Sequence, residues 1–163
     1  MRKLYKSLYH SPIGTLTIIS DDRHLLKLYP YEDKTICTEE SEPIRLTKNW
    51  LDLYFSGLQP SIDTLPILTE GTPFQLRCWQ QLLHIPYGST TSYKAIAELL
   101  SKESPSGRMS CQAVGQAIGK NPIVIIIPCH RVIGSNGNLT GYAGGLELKK
   151  ALLLHELTHK TAL

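Results

Sequence analysis

Cys129, His130 and Arg131 are the neighbouring side chains in this 163-residue sequence that are best suited to chemistry. A cysteine thiolate is a nucleophile, and a cation or a positioned imidazole lowers the pKa of its thiol. Because adjacent residues rarely face each other, His130 is expected to act on Cys129 through a water molecule or across a turn. Glu156 could orient the imidazole, as carboxylates do in relays of nucleophile, base and orienting group. We therefore predict that His130 and Glu156 together raise the thiolate fraction of Cys129.

The segments on either side of this group predict how it is positioned. The apolar run at residues 123–127, which ends at Pro128, predicts a buried strand that presents Cys129 and His130 at its end. Residues 132–140 predict a hairpin or wing around an Asn-Gly turn. In the last helix Glu156 lies at the edge of the apolar face, where a carboxylate needs a partner.

Two further helical segments, residues 92–100 and 110–119, suggest a helix-turn-helix with a connection longer than usual. The second segment contains four small residues: Ala113, Gly115, Ala117 and Gly119. Small side chains suit close approach to the narrow minor groove of DNA rather than reading of the major groove. Tight packing against a neighbouring helix is the alternative interpretation of the same pattern.

The first half of the chain predicts a scaffold. Short runs rich in β-forming residues alternate with turns up to residue 29, which predicts three antiparallel strands, and residues 65–68 could add one more. A helix follows Pro43 and ends at Gly57. Thr72 and Pro73 form the start of the next helix, as N-cap and first residue. These signals place one domain at residues 1–71 and a second at residues 72–163.

Composition and charge limit the classes of protein. Four separated cysteines fit neither a disulfide framework nor a zinc ribbon, and no apolar run is long enough to span a membrane. The expected protein is therefore soluble, with reduced thiols, in the cytoplasm, or in the nucleus of a eukaryote. The first 71 residues carry eight Lys and Arg against ten Asp and Glu, whereas the remainder carries nine against four. A basic second half suggests a nucleic-acid partner, although an asymmetry with no partner explains it equally well.

Three strings of residues closely resemble the O6-alkylguanine-DNA alkyltransferase family. They are the run from Asn121 through PCHRV to residue 132, the segment GYAGG at 141–145, and LLHE at 153–156. The resemblance extends over residues 72–156. It implies an α+β protein, with a small RNase H-like N-terminal domain of antiparallel sheet and helix. A helical, winged-helix-like C-terminal domain with a helix-turn-helix is implied to follow.

The resemblance also implies an activity and its residues. An alkyl group of O6-alkylguanine, with O4-alkylthymine as a further substrate, is transferred irreversibly to Cys129, once per molecule. His130 is implied to be the water-linked base, Glu156 its carboxylate partner, and Asn121 the hinge residue before the active-site segment. The base-contacting tyrosine is implied to be Tyr142.

A monomer that binds double-stranded DNA through the minor groove is implied, without a cofactor. Tyr93 is implied to press on the target phosphate, and the helix with Ala113 and Gly115 to enter the groove. Protonation of the leaving guanine at N3 falls to a tyrosine, either Tyr142 or Tyr93. Extrusion of the nucleotide costs a few kcal/mol, and less where alkylation has weakened the base pair.

Two positions depart from the family pattern. Gln112 stands where relatives have an arginine that fills the gap left by the extruded base, and Arg108 is a candidate substitute. Ala143 stands where some relatives have a serine. The preferred alkyl group and the tolerance for bulky adducts therefore stay open.

Other functions fit parts of the sequence. Residues 155–159 match HExxH, a helical zinc signature of peptidases, but only four residues follow to supply the third ligand. No metal is therefore predicted. A lesion-binding module without activity is disfavoured because Cys129 is present. A hydrolase that uses Cys129 and His130 is the other enzyme alternative.

Overall fold

The structure is a computed structural model that describes residues 2–35, 37–137 and 145–160. Its contacts divide the chain into two compact units. The described part of the first unit is residues 2–70 and 122–126, and that of the second is residues 71–121 and 127–160. Within the described residues, no helix combines the length and the apolar character that crossing a membrane requires.

The first unit contains the predicted three-stranded meander. Strands β1 (Tyr5–Ser11), β2 (Gly14–Ser20) and β3 (Leu25–Tyr29) pair antiparallel in sequence order. The helix α1 (Glu42–Phe55) begins at the N-cap Ser41, whose hydroxyl accepts from the amide of Ile44, and the chain after it turns at Gly57 with φ of 93°. Both features confirm the predicted helix.

Residues 65–68 do not form a strand. A short 3-10 helix, Ile62–Thr64, precedes them, and Ile67 alone forms a parallel bridge, to Leu25. The prediction of a further strand here is wrong because the run is short and contains Pro66, which has no amide hydrogen to donate to a neighbouring strand.

The second unit consists mainly of helices, as predicted. They are α2 (Pro73–Leu82), α3 (Tyr93–Ser101), α4 (Cys111–Gly119) and α5 (Leu146–His159). Side chains of Thr72, Ser92 and Ser110 cap the first three, and Gln75 completes a capping box with Thr72. Two short strands, β4 (Thr91–Ser92) and β5 (Val132–Ile133), pair in parallel.

The packing of α2 on α4 has a polar anchor. The indole Nε1 of Trp79 donates a hydrogen bond of 2.8 Å to the main-chain oxygen of Ala117, and both residues are buried. Val114 and Ile118 are buried on the same helix. The small residues of α4 therefore include one, Ala117, that packs within the unit.

The apolar run at residues 123–127 is not a strand. All five side chains are buried, but only Ile123 forms a bridge, to Leu28, and the chain then turns. Ile125 has φ of 70°, which is rare for a β-branched residue. The prediction failed because an apolar run specifies burial, whereas a strand also needs a partner along its whole length.

Candidate active site

A tight turn carries Cys129 and His130. Pro128 has φ of −82° and ψ of 65°, and the amide of Cys129 donates to the oxygen of Ile127 at 2.8 Å, the geometry of an inverse γ-turn. Residues Cys129–Arg131 then form one turn of 3-10 helix, which leads into β5. Cys129 and His130 are both buried. A turn, and not the predicted strand end, therefore positions Cys129 and His130.

His130 and Glu156 form a buried pair. The imidazole Nε2 lies 2.6 Å from Oε2 of Glu156, and both side chains are completely buried. Burial lowers the pKa of His130, while the bond to Glu156 raises it. The imidazole Nδ1 is buried too and has no hydrogen-bond partner among the described residues. The predicted partner of Glu156 is therefore present.

Glu156 accepts three further hydrogen bonds. Arg131 donates through Nε to Oε1 at 2.8 Å and through Nη2 to Oε2 at 3.0 Å, and the amide of Gly88 donates to Oε1 at 3.1 Å. Burial alone would raise the pKa of Glu156, but His130 and Arg131 together hold it well below its usual range. The carboxylate is therefore ionised, although no part of it contacts solvent.

Cys129 has a different electrostatic environment from the one expected. Burial raises the pKa of its thiol to about 11, while a hydrogen bond with the Asn121 side chain and the charge of Lys149 act in the opposite direction. This contradicts the expectation that the thiol pKa is lowered. The physical reason is that removal of water from around the sulfur penalises its charged form.

Asn121, which the resemblance implied to be the hinge residue, forms a hydrogen bond with the side chain of Cys129. Its side-chain Nδ2 also donates a bond of 2.8 Å to the oxygen of Ile127, two residues before the cysteine. The side chain is buried, and its second contact is the thiol itself. Asn121 therefore ties the turn and the sulfur together.

The sequence pointed to Arg131 only as a cation beside Cys129 and assigned Lys149 no part in the site. Lys149 is completely buried on α5, its ammonium lies 5.8 Å from the ring centroid of Tyr93, and its charge lowers the pKa of Cys129. The available signal was spacing, since Lys149 lies seven residues before Glu156 and therefore on the same face of one helix. A lysine on the apolar face of this helix is unusual, and this position could have indicated that Lys149 belongs to the site.

The residues predicted to bind DNA lie on or beside α3 and α4. Gln112 is exposed in the first turn of α4, and Ala113 and Gly115 are half-buried. Arg108 is exposed just before α4 and lines a groove with Lys94 and Cys111. Tyr93 is the first residue of α3, and a Cβ atom built on Gly115 would lie 3.8 Å from its ring. Tyr142 and Ala143 lie outside the described residues.

The HExxH match divides between two environments. The rings of His155 and His159 are 4.5 Å apart, and His159 Nδ1 bonds to the main-chain oxygen of His155 at 2.7 Å. Glu156 between them is held by His130 and Arg131. Across the described ranges, no three His, Cys, Asp or Glu side chains are grouped so that they could hold a metal ion.

Comparison with known proteins identifies the family. The model for the DNA-binding domain of 6-O-methylguanine DNA methyltransferase matches residues 73–158, and that for its ribonuclease-like domain matches residues 4–69. The chain is 39% identical to a methylated-DNA–protein-cysteine methyltransferase of Shigella flexneri, over 96% of this chain and 97% of the relative. One from Methanosarcina barkeri is 41% identical, over 92% and 95%.

Solved structures agree. The O6-methylguanine methyltransferase of Mycobacterium tuberculosis superimposes with a TM-score of 0.82 at 38% identity, covering 96% of this chain and 94% of that one. A structure of the same organism's protein in complex with DNA gives a TM-score of 0.80 at 40% identity, covering 93% and 92%. The two-domain α+β architecture therefore defines a DNA-binding alkyltransferase class. This chain belongs to the 6-O-methylguanine DNA methyltransferase family.

Proposed function

We propose that this protein repairs alkylated DNA by transferring an alkyl group from O6 of guanine, and from O4 of thymine, to Sγ of Cys129. The transfer is irreversible, and each molecule acts once. The observation that carries the proposal is the buried thiol beside a buried His130–Glu156 pair, in a chain of this family. The lesion-binding module and the zinc peptidase have no comparable support.

The reaction needs a proton to leave the sulfur. Because burial raises the thiol pKa, the resting side chain is the protonated thiol, and His130 is the base that accepts its proton at Nδ1, through a water molecule. Glu156 stabilises the imidazolium that forms. Asn121 and Lys149 act on the sulfur itself and favour the thiolate.

The transfer forms one bond and breaks one bond. The sulfur attacks the alkyl carbon, a C–S bond forms, and the C–O6 bond breaks with its electron pair passing to the guanine. The leaving guanine takes a proton at N3 from a tyrosine hydroxyl, that of Tyr93 or Tyr142. Alignment of sulfur and carbon in a site without bulk water supplies much of the acceleration.

DNA is bound as a duplex, with α4 against the minor groove. Ala113 and Gly115 permit close approach, Tyr93 presses on the target phosphate, and Gln112 or Arg108 occupies the gap that the extruded nucleotide leaves. Lys and Arg contacts to phosphates supply most of the affinity, so binding weakens as salt rises. The protein acts as a monomer in the cytoplasm and without a cofactor.

Intact-protein mass spectrometry tests this function. After incubation with a duplex that contains O6-methylguanine, the protein should gain one methyl group, located by peptide mapping at Cys129. Cys37→Ser, which alters an exposed cysteine of the first unit, should gain the same mass, and Cys129→Ser should gain none. Repeated turnover, or a methyl group on Cys78 or Cys111, would contradict the proposal.

A further inference from the structure

Arg131 donates its hydrogen bonds to groups inside the protein. Two of its nitrogens hold the two oxygens of Glu156, and Nη1 donates a bond of 2.8 Å to the main-chain oxygen of Ile85. The ring of Tyr87 lies 5.6 Å from the guanidinium carbon, and the Arg131 side chain is only 12% exposed. An arginine bound in this way has few donors available for a DNA phosphate. We therefore look for its role in its contacts with Glu156.

His130 and Arg131 both bind the carboxylate of Glu156. Oε2 receives both His130 Nε2 and Arg131 Nη2, and Oε1 receives Arg131 Nε. With the arginine fork in place, one negative charge is already balanced by one positive charge. The imidazole can then share the carboxylate as a neutral donor through Nε2–H.

The free side of the imidazole supports a neutral ring. Nδ1 of His130 is buried and has no hydrogen-bond partner among the described residues. In an imidazolium this atom would carry a buried N–H, which is costly without an acceptor. In the neutral ring it is a lone pair, which is what a base needs.

The other charged groups near His130 act in the same sense. Lys149 on α5 adds a second buried positive charge, and both Lys149 and Arg131 lower the pKa of His130, against the effect of Glu156. Cys129 precedes His130 in the same turn and is uncharged while its thiol pKa stays raised. If Arg131 were absent, Glu156 would keep its charge, and His130 would be the nearest group able to balance it.

We propose that Arg131 is a positioning residue that balances the charge of Glu156, so that His130 rests as a neutral imidazole with Nδ1 open to accept a proton. Without Arg131 the imidazole takes up a proton at rest and cannot act as the base. The effect on protonation stands on the contacts alone, whereas the effect on rate rests on the proposed function.

Titration of the histidine side chains by NMR tests the proposal on the full chain without DNA. In the unaltered protein, His130 should be the neutral Nε2–H tautomer at pH 7. In Arg131→Met its titration midpoint should rise by about one pH unit or more, the usual scale of such charge effects. In the double variant Arg131→Met/Glu156→Gln the midpoint should fall again, because both charges are gone. Arg45→Met removes an exposed arginine paired with Glu42 and should change nothing.

Single-turnover transfer gives the second readout. At neutral pH, Arg131→Met should be slower than the unaltered protein, and it should recover as pH rises above the new midpoint. Arg131→Lys, which keeps the charge but loses the fork, should show a smaller shift in the same direction. If Arg131→Met does not fold, the titration midpoint of His130 in Arg131→Lys and its tautomer in the unaltered protein test the proposal.

Several results would overturn the proposal. They are an imidazolium at pH 7 in the unaltered protein, an unmoved His130 midpoint in both Arg131 variants, and a raised midpoint that the double variant does not reverse. A slower Arg131→Met whose rate deficit is the same at every pH would reduce Arg131 to a structural part. If neither the unaltered protein nor any variant transferred an alkyl group, the proposed function would be wrong. The NMR titrations would still test the effect of Arg131 on the protonation of His130.

Discussion

The Nε2 atom of His130 and the Oε2 atom of Glu156 lie 2.6 Å apart, in side chains that are completely buried and 26 residues apart in the sequence. This pair links the turn after Pro128 to the last turn of α5. Because Arg131 grips the same carboxylate, three residues from two segments form one electrostatic unit. Alkyl transfer and stability should therefore depend on pH in related ways.

The first prediction concerns His130 and Glu156 as a unit. His130→Ala removes the base, and Glu156→Gln removes the charge that stabilises the imidazolium of His130. Each change should therefore slow single-turnover transfer. The double variant should be little slower than the slower single variant, because residues that act together are not additive. Binding to alkylated DNA should change much less than the rate. Multiplicative effects of the two changes would show that they act independently.

The second prediction is a loss of stability in acid. Burial lowers the pKa of His130 below its ordinary value of 6.5. Just below pH 6.5 this histidine is therefore protonated in the unfolded chain and still neutral in the folded protein. Stability should fall as pH drops below about 6.5, by up to about 1.4 kcal/mol for each unit until His130 itself titrates. Glu156, with a pKa held below its ordinary 4.5, should add a further loss below that pH.

Urea unfolding at a series of pH values measures this loss. His130→Gln should remove most of the slope between pH 6.5 and 5, and it should weaken the carboxylate slope below that range, because His130 helps to lower the pKa of Glu156. His10→Gln, at an exposed position of β1, is the matched control and should keep both slopes. A profile for His130→Gln that matches the unaltered protein would contradict the assignment.

The third prediction concerns Lys149. Lys149→Met removes a buried ammonium that costs desolvation, so the free energy of unfolding should stay the same or rise. Transfer should nevertheless slow, by about tenfold for each unit by which the thiol pKa of Cys129 rises further. The adjacent Lys150, whose side chain is 60% exposed, offers the control Lys150→Met. Equal rates for the two variants would remove Lys149 from the site.

The fourth prediction separates packing from DNA contact on α4. A Cβ atom at Gly115 would meet the Tyr93 ring at 3.8 Å, an ordinary contact, so Gly115→Ala should fold and gain up to about 1 kcal/mol in stability. If α4 enters the minor groove, the same change should weaken duplex binding. Fluorescence anisotropy at two salt concentrations measures this binding. Stabilised protein with unaltered affinity would place Gly115 away from the DNA.

Local sequence determined much of this protein. Alternating runs predicted the three-stranded meander, Pro43 and Gly57 marked the two ends of α1, and Thr72 with Pro73 predicted the start of α2. These features could be predicted because they depend on residues a few positions apart. The specific strings around Cys129 predicted the family. The positions of Tyr142 and Ala143 lie outside the described residues, and the site roles stay predictions until they are tested.

Tertiary structure decided the rest. The run at residues 123–127 is buried as its composition requires, yet it forms turns, because strand pairing depends on partners far away in the sequence. The sequence paired Glu156 with His130 but could not specify that Arg131 would bind the same carboxylate. The pKa of Cys129 rises rather than falls, because burial around a sulfur atom is set by the whole packed unit and is not written in its neighbours along the chain.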